Sequence, residues 1–260
     1  MGIKTEVTQD ELPSKYKKFT LRETKDGLTH SVYLLENEYV LKIVEGNTQN
    51  TILNEKKLLN ELESLCVPTL LDMYVKENYT MVFYSQMSGE SLSKVNTIHI
   101  KKIALFLKEF HTISKDLSSS NEKIYKKEYL KDLIIQTNEP DFFYYLNSID
   151  IKLENNGVIH GDLFCDNAKF ENERLSGVYD FIEACEGDFI FELAVVALSW
   201  CFEDEELNEG KVQVLLTTYG CIVSYTDFKE YIKYALLYYV TTRYLNNRDY
   251  KELLKRLKSL

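Results

Sequence analysis

Proline and glycine are scarce in this chain, three and ten in 260 residues. So few breakers exclude a collagen-like or low-complexity chain and leave room for long uninterrupted elements. Cysteine is odd in number at five, and no two stand at C-x-x-C spacing. That argues against a disulfide framework and against a zinc site. Positive charge is the minority, 31 Lys and Arg against 41 Asp and Glu, for a net charge of -10. Such a balance speaks against a nucleic-acid partner. An anionic ligand must then be met by local cations or by a metal. No run is apolar and long enough to span a bilayer: FIFELAVVALSWCF, Phe189–Phe202, is too short and carries Glu192, and it reads as a buried helix. The opening MGIKTEVTQDEL has no apolar segment of signal-peptide type, so the expected compartment is a reducing cytosol, with no membrane partner. Neither a G-x-x-x-x-G-K-[ST] nor a G-x-G-x-x-G sequence occurs, and there is no internal repeat.

What is present is 45% apolar content, enough for a sizeable core in one large domain or two coupled lobes. The first part reads as strands with one helix. FTLRET and SVYLLEN are short β-rich runs separated by the turn KDGLTH, and EYVLKIV follows after ENE, a meander of three strands. A helix is expected over NTQNTILNEKKLLNELESLC, with Asn47 or Thr48 as N-cap and Pro68 just past its end. LLDMYVKEN and YTMVFYSQM read as a hairpin. Beyond SGESLS the chain turns helical, beginning with IHIKKIALFLKEFHTI, whose apolar positions include Ile98, Ala104, Leu105 and Ile113. Two weaker helices fill 121–154, short strands return in GVIHGDLFCDNAKFENERLSGVYDF, and the tail is helical, ending in the basic amphipathic YKELLKRLKSL, read as a docked or solvated helix. The expected architecture is α+β: a β-rich lobe over residues 1–87 and a larger, mainly helical lobe over 88–260, unlike a doubly wound sheet.

Five positions carry chemistry only when taken together. Lys42 lies in YVLKIV, on the face of its strand shared with Val40 and Val44. It is either a lysine on an edge strand reaching water or a buried cation that needs a partner. Glu55 falls inside the helical stripe of Ile52, Leu59, Leu62 and Cys66, bordered by Leu58 and Leu65. A carboxylate pointing inward there needs a cation, and Lys42 answers that need. In HGDLFCDN, Asp162 precedes Asn167 by five positions, and Asp180 lies thirteen beyond Asn167. The intervening AKFENERLSGVYD reads as a hairpin turning at Glu171 to Arg174, which can bring Asn167 and Asp180 together. One carboxylate and one amide oxygen, with positions left for water and phosphate, suit Mg²⁺. Asp162 is then left to orient a hydroxyl and accept its proton. The competing reading makes Asp162 and Asn167 turn residues and Asp180 a helix cap.

The Lys and Glu with HGDLFCDN…YDF resemble the protein-kinase-like fold in its small-molecule branch, the aminoglycoside phosphotransferase and choline kinase group. Gly161 stands where protein kinases have Arg, and Ile182 where they have the glycine of D-F-G. TEVTQDEL, ALFLKEFHTI, HGDLFCDNAKFENERLSGVYDFIEAC and ELAVVALSWCF are similar to the homoserine kinase subgroup, which acts in threonine biosynthesis. The chain departs from it at Cys165, often basic there, at Glu192, where the family's DLA has Asp, and in a short stretch between His111 and His160.

The resemblance implies ATP and Mg²⁺ as cofactors and a small-molecule hydroxyl as substrate, L-homoserine first and a choline-, ethanolamine- or aminoglycoside-type acceptor second. It implies that Lys42 holds the α- and β-phosphates, oriented by Glu55, and that main chain at Ser85, Gln86 and Met87 meets adenine. It gives Asn167 and Asp180 to the metal and Asp162 to the acceptor hydroxyl. Glu183 and Glu186 are candidates for a substrate ammonium and Arg243 for its carboxylate; each taken alone reads as surface charge. His160 reads as a brace for the loop, Cys165 and Cys185 as small packing residues at its border, and Gly27 as the only glycine of the turn over the phosphates. A second class remains open, a catalytically dead nucleotide-binding scaffold, whose mark would be loss of one of these five residues, Lys42, Glu55, Asp162, Asn167 or Asp180. None is lost. The sequence leaves the oligomeric state open.

Overall fold

The computed structural model describes residues 5–24, 31–36, 38–46 and 48–260. Gly27, the turn that holds it, His30 and Asn47 lie outside the described residues. The chain divides into two compact units, Met1–Ser88 and Gly89–Leu260.

The first unit is built on an antiparallel sheet of β1 (Leu21–Glu23), β2 (Ser31–Leu35), β3 (Tyr39–Glu45), β4 (Leu70–Val75) and β5 (Tyr79–Ser85), in the order β1-β2-β3-β5-β4. The expected meander and hairpin are both present, and β3 ends up central. Its alternation puts Leu41 and Ile43 on one face, with Tyr33, Leu35, Met81 and Phe83 of the neighbouring strands. Val7, Leu12, Tyr16 and Phe19 from the N-terminal segment cover that face, and Tyr16 stacks on Phe83 with ring centroids 3.7 Å apart. The opposite face carries Val40, Lys42 and Val44, and helix α1 (Gln49–Glu61) buries Ile52, Glu55, Leu58 and Leu59. Thr48 takes the N-cap position without a side-chain capping bond. The helix stops at Glu61, sooner than its sequence suggests, so Leu65 and Cys66 lie past its end instead of on its stripe.

The second unit is mainly helical: α2 (Thr97–Ser114), α3 (Lys127–Thr137), α4 (Pro140–Ser148), α5 (Phe189–Trp200), α6 (Glu209–Tyr219), α7 (Tyr225–Leu245) and α8 (Lys251–Ser259). Three small two-stranded sheets interrupt the helices: β6 (Gly157–Ile159) with β9 (Cys185–Gly187), β7 (Ala168–Glu171) with β8 (Arg174–Val178), and β10 (Phe202–Glu203) with β11 (Glu206–Leu207). The apolar run of α5 is buried on all sides, from Phe191 to Leu198, and lies against α7. The buried stripe of α2 is Ile100, Ile103, Ala104, Leu107, Phe110, His111 and Ser114. Of the apolar positions in this stretch, Ile98 and Leu105 lie off that stripe, at 38% and 44% exposure. The three-and-four spacing is kept, but the stripe is rotated onto positions that include a histidine and a serine. The basic tail α8 is docked through buried Leu253 and Leu257, and Arg256 Nη1 donates to the Leu198 carbonyl at 2.8 Å. No helix of the described residues is long and apolar enough to cross a membrane.

Candidate active site

In the first unit Lys42 is buried, at 7% exposure, and Glu55 more so, at 2%. A central strand and this burial remove the reading of Lys42 as an edge residue reaching water. Register settles what shares its surroundings. Lys42 pairs with Val82, and Val40, two residues earlier on the same face, pairs with Tyr84. The Tyr84 hydroxyl donates to Glu55 Oε2 at 2.7 Å. The carboxylate of α1 is therefore held over the sheet face from which Lys42 projects. At the end of β5, the N–H of Ser85 donates to the Thr69 carbonyl at 2.9 Å and that of Gln86 to the Glu38 carbonyl at 3.0 Å. A base contacting these two residues would meet carbonyl oxygens, while Met87 follows with its backbone past the strand.

In the second unit the sequence HGDLFCDN forms a loop between β6 and β7, held from several sides. His160 is fully buried. Its Nδ1 accepts from the Asp162 N–H at 3.2 Å, which leaves Nε2 to donate to the Tyr179 carbonyl at 2.9 Å. It braces the loop, as expected. Gly161 has φ +79, and a Cβ there would stand 2.3 Å from the Tyr125 hydroxyl; both facts require glycine. Its carbonyl accepts from the Tyr239 hydroxyl. From α5, Trp200 Nε1 donates to the Leu163 carbonyl at 2.9 Å, and Ser199 Oγ accepts from the Cys165 N–H at 3.1 Å.

The β7–β8 hairpin pairs Ala168 with Val178 and turns between Glu171 and Arg174. The Tyr179 N–H donates to the Asn167 carbonyl at 3.1 Å, so Asp180 follows one residue past Asn167's partner. Asn167 Nδ2 donates to the Asp162 carbonyl at 2.7 Å and to Asp162 Oδ2 at 3.2 Å. Its amide oxygen is thereby turned away from Asp162. Asp180 has φ +70, and although it stands at the start of a 3-10 turn over Phe181–Glu183, its side chain makes no capping bond. The cap reading fails on this point, and the backbone of Asp180 lies in the left-handed region, which non-glycine residues enter uncommonly and Asp more readily than most.

Burial, then the charges of Glu183, Asp180 and Asp166, push the Asp162 carboxyl well above the usual carboxylate range, while Arg243 pulls it back. Four acids against one guanidinium make a site with surplus negative charge. The oxygen donors Asn167 and Asp180 lie within it, a donor set that fits a hard dication better than a soft one. Arg243 stands over the Phe164 ring at 5.4 Å. Glu186 differs from Glu183: it is paired with Lys123 and accepts from Asn155 Nδ2 at 2.9 Å. Its charge is already matched, so it leaves the set of candidates for a substrate ammonium. Burial pushes the Cys165 thiol up to about 11 and the Cys185 thiol up to about 12, which keeps both protonated and suits packing residues.

Two contributors escaped the sequence reading. Glu192, fully buried on α5, accepts from the Gly161 N–H at 2.8 Å through Oε1, and its Oε2 lies 2.5 Å from His111 Nε2. His111 Nδ1 is in turn 2.8 Å from the Tyr219 hydroxyl. A lone glutamate in an otherwise apolar helix was the signal for the first. The second is Asn121, in the connection between α2 and α3, whose side chain reaches the Ile182 and Ala184 carbonyls.

Similarity to known proteins extends over most of the chain. A homoserine kinase of Bartonella henselae (strain ATCC 49882 / DSM 28221 / CCUG 30454 / Houston 1) is 32% identical over 151 residues, 51% of this chain and 46% of that enzyme. The chain thus spans about half the length of this curated relative, and shorter stretches match other curated homoserine kinases. Among solved structures, wild-type aminoglycoside 2'-phosphotransferase-IIIa in its GDP complex superposes with a TM-score of 0.69 at 17% identity, over 92% of this chain and 91% of that one. The ternary complex of APH(2")-IIa with streptomycin and ATP gives 0.65 at 19% identity, over 93% of each chain. At these identities the likeness shows a shared kinase-like α+β fold. The phosphotransferase enzyme family model, APH, matches residues 20–222, and the chain belongs to that family.

Proposed function

We propose that the protein is an ATP- and Mg²⁺-dependent kinase that phosphorylates the hydroxyl of a small polar metabolite, L-homoserine first among them, in the cytosol and without a nucleic-acid or membrane partner. The observation that carries this reading is the closure of Asn167 on Asp162, with the hairpin returning the chain to Asp180 beside it. Asn167 and Asp180 would hold the metal, which neutralises charge on the transferred phosphoryl group. Asp162 orients the acceptor hydroxyl and takes its proton. Lys42 meets the α- and β-phosphates, Glu55 orients it, and Ser85 to Met87 supply main chain to adenine. Phosphoryl transfer asks little covalent work of a protein, so positioning and charge carry the rate.

For the acceptor, Glu183 and Arg243 act on Asp162 with opposite sign. An ammonium and a carboxylate flanking a primary hydroxyl match such a pair, and the identity to a homoserine kinase supports the same choice. A cationic acceptor of choline or aminoglycoside type is the second reading. It is favoured by the excess of acids over Arg243 around Asp162 and by the tyrosines Tyr125, Tyr238 and Tyr239 close to that carboxylate. ADP or GDP release from ATP or GTP, measured with homoserine, choline, ethanolamine and kanamycin, decides. Turnover with homoserine alone is expected. Clear turnover of a cationic acceptor with none of homoserine overturns the substrate, and nucleotide binding with no turnover across the panel favours the scaffold.

The metal assignment has its own test. In Asp180→Asn the only carboxylate of the proposed pair is lost, and the magnesium concentration for half-maximal turnover should rise about 10-fold or more. A magnesium titration that superposes on that of the wild type removes Asp180 from the metal site.

A further inference from the structure

The backbone that follows Asp180 has little regular structure to hold it. Phe181–Glu183 is a single 3-10 turn, closed by the Ala184 N–H donating to the Phe181 carbonyl at 3.0 Å, and strand pairing resumes only at Cys185. Two of its carbonyls are instead gripped by side chains from the connection between α2 and α3. Asn121 Nδ2 donates to the Ile182 carbonyl at 3.2 Å and to the Ala184 carbonyl at 2.9 Å. Ser119 Oγ donates to the Ala184 carbonyl at 3.2 Å and accepts from the Asn121 N–H at 3.2 Å, which fixes the two donors relative to each other. The same connection continues to Lys123, paired with Glu186, and to Tyr125, whose ring fills the space beside Gly161. One stretch of chain therefore touches both the segment after Asp180 and the loop that carries Asp162.

We propose that Asn121 is a positioning residue for the metal-binding segment: its amide, backed by Ser119, sets where Asp180 and Glu183 stand relative to the Asp162 loop. The argument is one of constraint. Asp180 is at positive φ, a conformation uncommon for a non-glycine residue, and contacts that fix the backbone after it help to hold it there. Ile182 stands where D-F-G has its glycine, and the carbonyls of Ile182 and Ala184 are tied down from outside. The role for the metal rests on the kinase reading above; the grip on the backbone does not.

Asn121→Asp keeps the size and replaces the shared amide donor by a carboxylate, which repels both carbonyls. Amide hydrogen exchange over 180–185 in the nucleotide-free protein should accelerate roughly 5- to 10-fold, the value of about one net hydrogen bond, while exchange in α5 and α7 stays unchanged. Mn²⁺ binding in the presence of ADP, followed by water-proton relaxation, should weaken several-fold. In turnover the magnesium requirement should rise, with the acceptor KM moving less. Ser119→Ala, which leaves Asn121 in place, should reproduce the exchange effect in smaller measure, and it serves if Asn121→Asp does not fold. Unchanged exchange over 180–185 in both variants overturns the grip. Faster exchange there, with Mn²⁺ binding and magnesium titration as in the wild type, overturns the positioning role. A wild type that turns over no acceptor sinks the kinase reading instead, and the exchange and Mn²⁺ measurements still decide this one.

Discussion

Asp162→Asn is expected to lose turnover by roughly 10²-fold or more while gaining, or at least keeping, thermal stability. The two effects come from the same surroundings. The carboxylate is half-buried among Glu183, Asp180 and Asp166, with Arg243 as the opposing charge, and the folded protein disfavours its ionised form. A carboxyl whose folded value is raised subtracts from stability once the pH exceeds its unfolded value, near 4. An amide of the same shape removes that cost. It can still accept from Asn167 Nδ2, and the backbone bond from Asp162 N–H to His160 is untouched. It cannot take a proton from a hydroxyl. Melting in EDTA without nucleotide, beside kcat with the true acceptor, checks both halves. A variant that keeps near-normal turnover excludes Asp162 as the base. One that is inactive and also strongly destabilised shows the residue to be structural.

Much of this site is visible in the chain because its parts are local or periodic. Asp162, Asn167 and Asp180 lie within nineteen residues of one another, and a hairpin with a short polar turn has few ways to return. Lys42 shows itself by interrupting an apolar strand, Glu55 by interrupting an apolar helical stripe. Each breaks a pattern whose burial the neighbouring residues already declare. The order of elements was readable for the same reason. The precise phase of α2 was not: with Ile98, Ile100, Ile103, Leu105 and Ile113 all apolar, two stripes satisfy the helical period, and contact with α6 and the strand pair near β6 chooses between them.

What the sequence hid depends on side chains that cross between distant segments. Tyr125 beside Gly161, Tyr239 on the Gly161 carbonyl and Asn121 on the carbonyls of Ile182 and Ala184 span separations of 36 to 78 residues. None breaks a local pattern: Asn121 and Tyr125 lie in a connection, and Tyr239 is one of several tyrosines along α7. Glu186 shows the opposite failure. Its place shortly after Asp180 suggested the site, yet strand β9 carries it to Lys123 and Asn155. Sequence proximity fixes distance along the chain but not the side of a strand on which a charge emerges.

Glu192→Ala should be the most destabilising substitution near the site, costing about 3–5 kcal/mol, the range for breaking a fully buried pair. For a chain of this size that is a fall in Tm on the order of 10 °C. The loss would leave the Gly161 N–H and His111 Nε2 both without their acceptor in a dry interior, and it adds a cavity where α5 meets the loop. Glu192→Gln separates the contributions. The amide oxygen can still accept from Gly161, and the amide N–H can donate to His111 Nε2 if the imidazole places its proton on Nδ1, toward the Tyr219 hydroxyl. The expected cost is then only about 1–2 kcal/mol. Glu192→Asp tests reach: one methylene shorter, it cannot span from Gly161 to His111 in the same backbone position, so stability should fall between the two. Because Gly161 precedes Asp162 directly, kcat should follow the same order as stability across the three variants, with nucleotide KM nearly constant. Thermal melts and initial rates on all three check the order. Equal stability for Gln and Ala at this position would show that the bonds to Gly161 and His111 contribute little, and that α5 holds the loop by packing alone.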